Sequence, residues 1–149
     1  MVFSDISKAF DRVWIKGLLF KLKLNGINGN HLKWIESYLT NRRQKVAIGS
    51  SVSSTKSTYV GVLQGSSVGP LFFLVYINDI VEQLLSVCRI FADKTSFSCI
   101  SSDITHIESI LNHDLDVVKK WSKQWLVEFN PNKTEAILFT TRKNISHPS

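Results

Sequence analysis

Apolar residues recur every three or four positions in several stretches of the chain, as they do along the buried face of an amphipathic helix. The first of these stretches ends at Asn25-Gly26, a pair typical of helix C-termini, and the last follows Asp103, a suitable N-cap. A continuous apolar run predicts a further, buried helix over about residues 70–85. The three amphipathic faces contain Leu18, Leu19 and Leu22; Leu32, Ile35 and Leu39; and Ile104, Ile107, Leu111, Leu115, Val118, Trp121 and Trp125.

Shorter runs rich in β-branched and aromatic residues predict strands between turn residues. Residues 1–4 indicate the end of a buried strand, with Asp5 at its C-terminus. Residues 44–48 alternate apolar and polar side chains like a half-buried strand, and after a turn residues 57–62 can return beside them. Residues 135–140 form the last predicted strand. Strands and helices in this mixed order, without an internal repeat, predict an α+β domain.

A β-hairpin is predicted from two further runs, residues 87–91 and 95–100. A two-residue turn at Asp93-Lys94 would place Ile90 opposite Phe97 and Cys88 opposite Cys99, with the apolar residues on one face. A cross-strand disulfide is one outcome of this register. In a reducing compartment we expect two small buried side chains instead.

Composition and charge narrow the possible functions. The chain has 149 residues, 44% of them hydrophobic, and a formal net charge of +6. This is the composition of a globular domain, and its charge favours polyanions such as nucleic acid, although an ordinary basic domain would share it. Early charged residues argue against a signal peptide, and the apolar run of residues 68–77 is too short for a membrane span. We therefore expect an intracellular protein, cytoplasmic or nuclear, without a membrane partner.

Two carboxylates occupy positions suited to chemistry. Asp5 follows a predicted strand, and Asp93 lies at the tip of the predicted hairpin. Each has an ordinary alternative, because Asp5 can cap a helix over residues 7–13 and Asp93 can simply favour a turn. Between them, Gln64, Gly65 and Ser66 belong to a loop rich in glycine and serine.

Three stretches, in this order and spacing, resemble the palm of a reverse transcriptase from a jockey-like non-LTR retrotransposon. They are Asp5-Ile6-Ser7-Lys8-Ala9-Phe10-Asp11, Gln64-Gly65-Ser66-Ser67-Val68-Gly69-Pro70 and Phe91-Ala92-Asp93-Lys94. Further similarity comes from Trp14, Trp34-Ile35-Glu36-Ser37-Tyr38-Leu39, Tyr76-Ile77-Asn78-Asp79 and Phe129-Asn130-Pro131-Asn132-Lys133-Thr134-Glu135. The resemblance thus covers nearly the whole chain.

This resemblance implies a polymerase palm-like antiparallel sheet with helices packed on one face. Residues 1–141 would be a partial reverse transcriptase domain, the palm core without the fingers segment and thumb, followed by a polar tail at residues 142–149. The implied reaction is RNA-templated DNA synthesis by two-metal nucleotidyl transfer, with an RNA template, a DNA primer and deoxynucleoside triphosphates as partners.

The resemblance also implies roles for individual residues. Asp5 and Asp93 would be catalytic residues that bind Mg²⁺ or Mn²⁺, and Phe10 would lie under the sugar of the incoming nucleotide. Lys133 would protonate the leaving pyrophosphate. The loop of Gln64, Gly65 and Ser66 would contact template and nucleotide. For Phe10 core packing, and for Lys133 a solvated turn, remain alternatives.

One departure from the family pattern lies in the centre of the site. Lys94 stands where the family has a second aspartate, and Leu63 stands where it usually has proline. A lysine beside the metal positions changes the local charge by two units, so we expect this chain to be inactive. The alternative function is a non-catalytic, basic nucleic-acid-binding remnant. Arg42, Arg43 and Lys45 could meet the nucleic-acid backbone, and a solvated basic turn is the equal alternative for them. A decayed element copy without a present role would also fit the sequence.

Overall fold

The computed structural model describes residues 1–141, which contain four α-helices and eight strands. The predicted polar tail, residues 142–149, lies outside the described residues. The helices are α1 Ile15–Leu24, α2 Gly29–Leu39, α3 Gly69–Ile77 and α4 Ile104–Trp125, with 3₁₀ turns at Asn78–Val81 and Pro131–Lys133. The strands are β1 Val2–Asp5, β2 Arg42–Gln44, β3 Ala47–Ile48, β4 Ser51–Val52, β5 Lys56–Thr58, β6 Val87–Phe91, β7 Lys94–Ser98 and β8 Glu135–Ala136.

The main sheet is antiparallel, with the strand order β6-β7-β1-β8. Side chains alternate across it, because Val2 and Ser4 are buried while Phe3 between them is exposed. Their partners on β7, Phe97 and Thr95, are buried on the same face. The other face remains open to solvent. The predicted α+β class, a palm-like antiparallel sheet with helices on one face, is confirmed.

The hairpin forms, but the predicted register is wrong. Phe91 pairs with Lys94 and Cys88 with Phe97, so the turn residues are Ala92 and Asp93. The observed pairing shifts each partner by two residues, which leaves every side chain on its original face, so the hydrophobic pattern cannot distinguish the two registers. Cys88 and Cys99 are therefore not opposite each other, and both are free thiols. Burial raises the pKa of Cys88 to about 11.

Further predicted element boundaries are also wrong. The predicted strand of residues 57–62 is observed as β5 Lys56–Thr58, and that of residues 95–100 as β7 Lys94–Ser98. The half-buried strand over residues 44–48 is interrupted at residues 45–46, and its side chains are exposed. The helix predicted over residues 70–85 ends at Ile77 and continues only as a 3₁₀ turn, Asn78–Val81, in which Asp79 pairs with Lys21 of α1. Strand β8 has only two residues, because its ladder pairs only with Val2 and Phe3 of β1.

The helices are fastened together around the buried Lys21. Its Nζ donates to the carbonyl oxygen of Tyr76 and to Oδ1 of Asp79, both at 2.5 Å. The same Nζ lies 3.7 Å from the centre of the Trp125 ring of α4, a cation–π distance. Burial lowers the pKa of Lys21 below its ordinary value, although the Asp79 carboxylate partly offsets this. One side chain thus links α1, α3 and α4.

Asp114 of α4 fixes the start of the hairpin. Its carboxylate is fully buried and accepts hydrogen bonds from the backbone amides of Leu85 at 2.9 Å and Ser86 at 2.8 Å. Burial alone would raise the pKa of Asp114, but hydrogen bonds from Ser86 and Leu85 hold it below its ordinary value. Since β6 begins at Val87, this contact positions the strand that leads to Asp93.

Among residues 1–141, none of the helices combines the length and the apolar character that a membrane crossing requires.

Candidate active site

A cleft of about 420 Å³ brings together five of the predicted site residues: Asp5, Phe10, Gln64, Asp93 and Lys133. These residues come from four separate stretches of the chain. The backbone explains why they meet. Just after β1, the amide of Ile6 donates to the carbonyl of Asp93 at 2.8 Å, and the amide of Asn130 donates to the carbonyl of Asp5 at 2.8 Å. The strand end is therefore tied both to the hairpin tip and to the turn that carries Lys133.

Lys133 lies beside Asp5. Its Nζ is 3.4 Å from Oδ2 and 3.5 Å from Oδ1 of that carboxylate. The Asp5 side chain is only 14% exposed, whereas Lys133 is 61% exposed. A pair with one solvated partner contributes little to stability, typically under about 1 kcal/mol. Lys133 can therefore leave Asp5 at small cost when a ligand enters.

Lys94 is the cross-strand partner of Asp5. The register pairs Asp5 of β1 with Lys94 of β7, so both side chains project from the same face of the sheet. Directly opposite residues have Cβ atoms about 5 Å apart. A second groove, of about 630 Å³, is lined by both of these residues and by Lys133. Asp5 consequently has a lysine on each side.

Phe10 both packs in the core and lines the cleft. Its ring centre lies 5.0 Å from that of Phe73, and the side chain is half-buried. Its carbonyl accepts a hydrogen bond from the amide of Val62 at 2.8 Å, which holds the following loop against the cleft. The core alternative and the proposed position under a nucleotide sugar are thus compatible.

The loop of residues 64–66 divides into two parts. Gln64 lines the cleft and donates from Nε2 to Oδ1 of Asp11 at 2.9 Å. Gly65 and Ser66 do not line it. Ser66 instead accepts from the amide of Gly69 at 3.0 Å, where α3 begins.

Lys8 and Asn130 also line the cleft, and the sequence reasoning assigned neither a role. Lys8 has a left-handed backbone, with φ of 49°, which is uncommon for a residue with a side chain. Both residues fall inside stretches that carry the family resemblance, and this was the only signal that could have identified them.

The oxygen donors of the cleft do not meet the needs of two divalent cations. Mg²⁺ requires carboxylate oxygens together with waters or phosphates. Asp5 and Asp93 supply two carboxylates to the cleft, but in the described part of the chain no three His, Cys, Asp or Glu side chains gather in a metal-binding group. The ammonium group of Lys133 also lies beside Asp5, and Lys94 occupies the strand position opposite it. These side chains, as they stand, do not fit a pair of divalent cations.

Comparison with known proteins agrees with the geometry. The family described as reverse transcriptase (RNA-dependent DNA polymerase) matches residues 1–147. The RNA-directed DNA polymerase from mobile element jockey of Drosophila melanogaster is 32% identical over an alignment of 148 positions, which covers 94% of this chain and 16% of that protein. The probable RNA-directed DNA polymerase from transposon X-element of the same species is 29% identical, over 99% of this chain and 17% of its own length. The chain spans about a sixth of these curated relatives.

Proposed function

The chain belongs to the reverse transcriptase family, whose reaction is RNA-templated DNA synthesis, and we propose that residues 1–141 form the palm of such a polymerase from a jockey-like non-LTR retrotransposon. The observation that supports this proposal is the single cleft lined by Asp5, Phe10, Gln64, Asp93 and Lys133. Its partners would be an RNA template, a DNA primer and deoxynucleoside triphosphates. Such a protein would work inside the cell, in the cytoplasm or the nucleus.

Within this proposal each side chain has a role that follows from its position. Phe10 supports the sugar of the incoming nucleotide, and Gln64 aligns template and nucleotide. Gly65 and Ser66 lie outside the cleft, so their role would be to hold the conformation of the loop that carries Gln64. In the family reaction Lys133 would face the triphosphate and act as the acid for pyrophosphate release. Asp5 and Asp93 occupy the positions at which the family holds Mg²⁺ or Mn²⁺.

We further propose that this chain does not catalyse DNA synthesis. Lys94 lies opposite Asp5 in the sheet, and Lys133 lies 3.4 Å from the Asp5 carboxylate. One lysine paired with Asp5 and a second across the sheet from it put positive charge where the family holds divalent cations, and this disfavours the binding of those cations. The second candidate function is therefore non-catalytic binding of nucleic acid, which the net charge of +6 favours.

A test of the palm assignment must not depend on activity. We would replace Gln64 with the photocrosslinking residue benzoylphenylalanine and irradiate the protein with a radiolabelled RNA–DNA template–primer. The matched control places the same residue at Gln124, an exposed glutamine of α4 outside the cleft. We expect crosslinks to the template strand, next to the primer terminus, from position 64 and at most a trace from position 124. Equal crosslinking from both positions would argue against a palm cleft.

A further inference from the structure

A basic β-ribbon extends from the domain between α2 and α3. Strands β2 and β5 pair near its base and β3 and β4 near its tip, and every side chain of residues 43–57 is exposed. The two ladders differ in register by one residue, so residues 45–46 face residues 53–55 across a bulge. The amide of Ser53 donates to the carbonyl of Val46 at 2.8 Å and keeps the ribbon continuous there. We call residues 43–59 the basic arm.

The composition of the basic arm matches a phosphate-binding surface. No Asp or Glu occurs anywhere in residues 37–78. Arg43, Lys45 and Lys56 are exposed, and within the described residues none of them forms an ion pair. Seven of the nine residues 50–58 are Ser or Thr. Arginine, lysine and hydroxyl side chains are the groups that contact nucleic-acid phosphates.

An aromatic side chain completes the surface. Tyr59, at the base of the basic arm, is 80% exposed. Exposed aromatic rings beside basic residues are the platforms on which unpaired bases stack. A paired duplex does not offer its base faces in this way. The combination therefore favours a single strand over a duplex.

Hydrogen bonds hold the base of the basic arm against the rest of the domain. Arg42 precedes it and donates from Nε to the carbonyl of Leu39 at 2.9 Å and from Nη2 to that of Val60 at 3.0 Å. Arg42 is thus a structural anchor, contrary to the expectation that it meets phosphate. The amide of Gly61 donates to the carbonyl of Val13 at 2.8 Å. Gly61 precedes Gln64 of the cleft by three residues. A strand held on the basic arm would consequently lead toward Gln64.

We propose that the basic arm binds a single-stranded nucleic acid and directs it into the cleft. Arg43, Lys45 and Lys56 contact phosphates, and Tyr59 stacks on an unpaired base. This inference rests on the proposed function, since the bound strand is the template ahead of the site of synthesis. It also applies to a chain that binds without catalysis.

The test measures binding of a fluorescent single-stranded RNA to the 149-residue chain over a series of KCl concentrations. One variant combines Arg43→Ala, Lys45→Ala and Lys56→Ala. The control combines Lys119→Ala, Lys120→Ala and Lys123→Ala, three exposed lysines of α4, and changes the net charge equally. Each lost phosphate contact reduces the steepness of log K against log salt by about 0.7. The slope of the arm variant should therefore be smaller in magnitude by about 2, and that of the control almost unchanged.

Tyr59→Ala separates stacking from charge. We expect it to weaken single-strand binding about tenfold and to leave duplex binding and the salt slope unchanged. Circular dichroism of each variant checks that the fold is intact. A variant of the apolar tip, Val46→Ser with Ile48→Ser and Val52→Ser, should bind RNA normally.

The possible outcomes separate this inference from the function on which it rests. If the arm variant binds RNA like the control while benzoylphenylalanine at position 64 still crosslinks to the template–primer, the basic arm proposal is wrong and the palm assignment stands. If the unmodified chain prefers duplex, or if only the tip variant loses binding, the single-strand proposal is wrong. If the unmodified chain binds no nucleic acid, both proposals fail together.

Discussion

Replacing Lys94 with aspartate should create a divalent-cation site. Lys94 is the direct cross-strand neighbour of Asp5, so the substitution puts a carboxylate in place of a lysine side chain on the strand position opposite Asp5. Two unit charges 4 Å apart interact by about 1 kcal/mol in water and about 4 kcal/mol at an effective dielectric of 20. Because Lys94 is exposed and the cleft is open, solvent weakens this interaction. We therefore expect Lys94→Asp to improve the free energy of divalent-cation binding by about 2 kcal/mol, which is roughly a 30-fold gain in affinity for the cation.

Mn²⁺ binding, followed by electron paramagnetic resonance or calorimetry at fixed ionic strength, measures this gain directly. Lys94→Ala removes one unit of charge instead of reversing it and should yield about half of the free-energy gain, roughly fivefold in affinity. Lys120→Asp, on the exposed side of α4, changes the net charge equally and serves as the control. Since charges farther apart than about 10 Å are screened at 0.1 M salt, the control should gain almost nothing.

Two results would refute the electrostatic reasoning. If Lys94→Asp binds Mn²⁺ no better than the unmodified chain, Lys94 is not what prevents metal binding. If Lys120→Asp gains as much as Lys94→Asp, the effect belongs to net charge and not to the pairing with Asp5.

The remaining predictions concern the contacts that position the cleft. Asp114→Asn should lower the free energy of unfolding by about 2 kcal/mol at pH 7. Because the pKa of Asp114 is lowered in the folded chain, its contribution is present above about pH 4 and disappears as pH falls through the folded value, so urea melts should converge in acid. Gly61→Ala should cost about 3 kcal/mol, because φ is +83° and an added Cβ would lie 2.7 Å from the carbonyl oxygen of Asp11. Gly49→Ala, where a Cβ meets open space, should cost only about 1 kcal/mol, and equal losses in thermal melts would count against this view.

The long elements of the fold could be predicted from hydrophobic periodicity, and the short ones could not. Helix α4 begins and ends where its pattern and Asp103 indicate, because 22 residues repeat the period many times. The register of the β6–β7 hairpin could not be predicted from the hydrophobic pattern, because a shift of two residues leaves the same side chains on the buried face. The ribbon of residues 42–58 was also misjudged, because Val46 and Ile48 alternate like half-buried residues although they remain exposed.

The site was predictable only through the joint pattern of distant motifs. Neither Asp5 nor Asp93 is distinctive alone, yet both line the cleft with Phe10 and Gln64. The family resemblance already puts Lys94 near both Asp5 and Asp93, but that it lies directly opposite Asp5 depends on the register of β1 against β7, strands separated by nearly ninety residues. The structural role of Arg42 depends on a similar long-range contact, its hydrogen bond to Val60.

Primer extension tests the central claim, that this is a polymerase palm whose site Lys94 disables. Residues 1–147 would replace the matching segment of the Drosophila melanogaster jockey polymerase, so that the relative supplies the rest of the enzyme. The chimera and its Lys94→Asp form would extend a DNA primer on an RNA template with Mg²⁺. We predict extension at least tenfold faster with Lys94→Asp than with Lys94. Equal extension by the two forms would contradict the account.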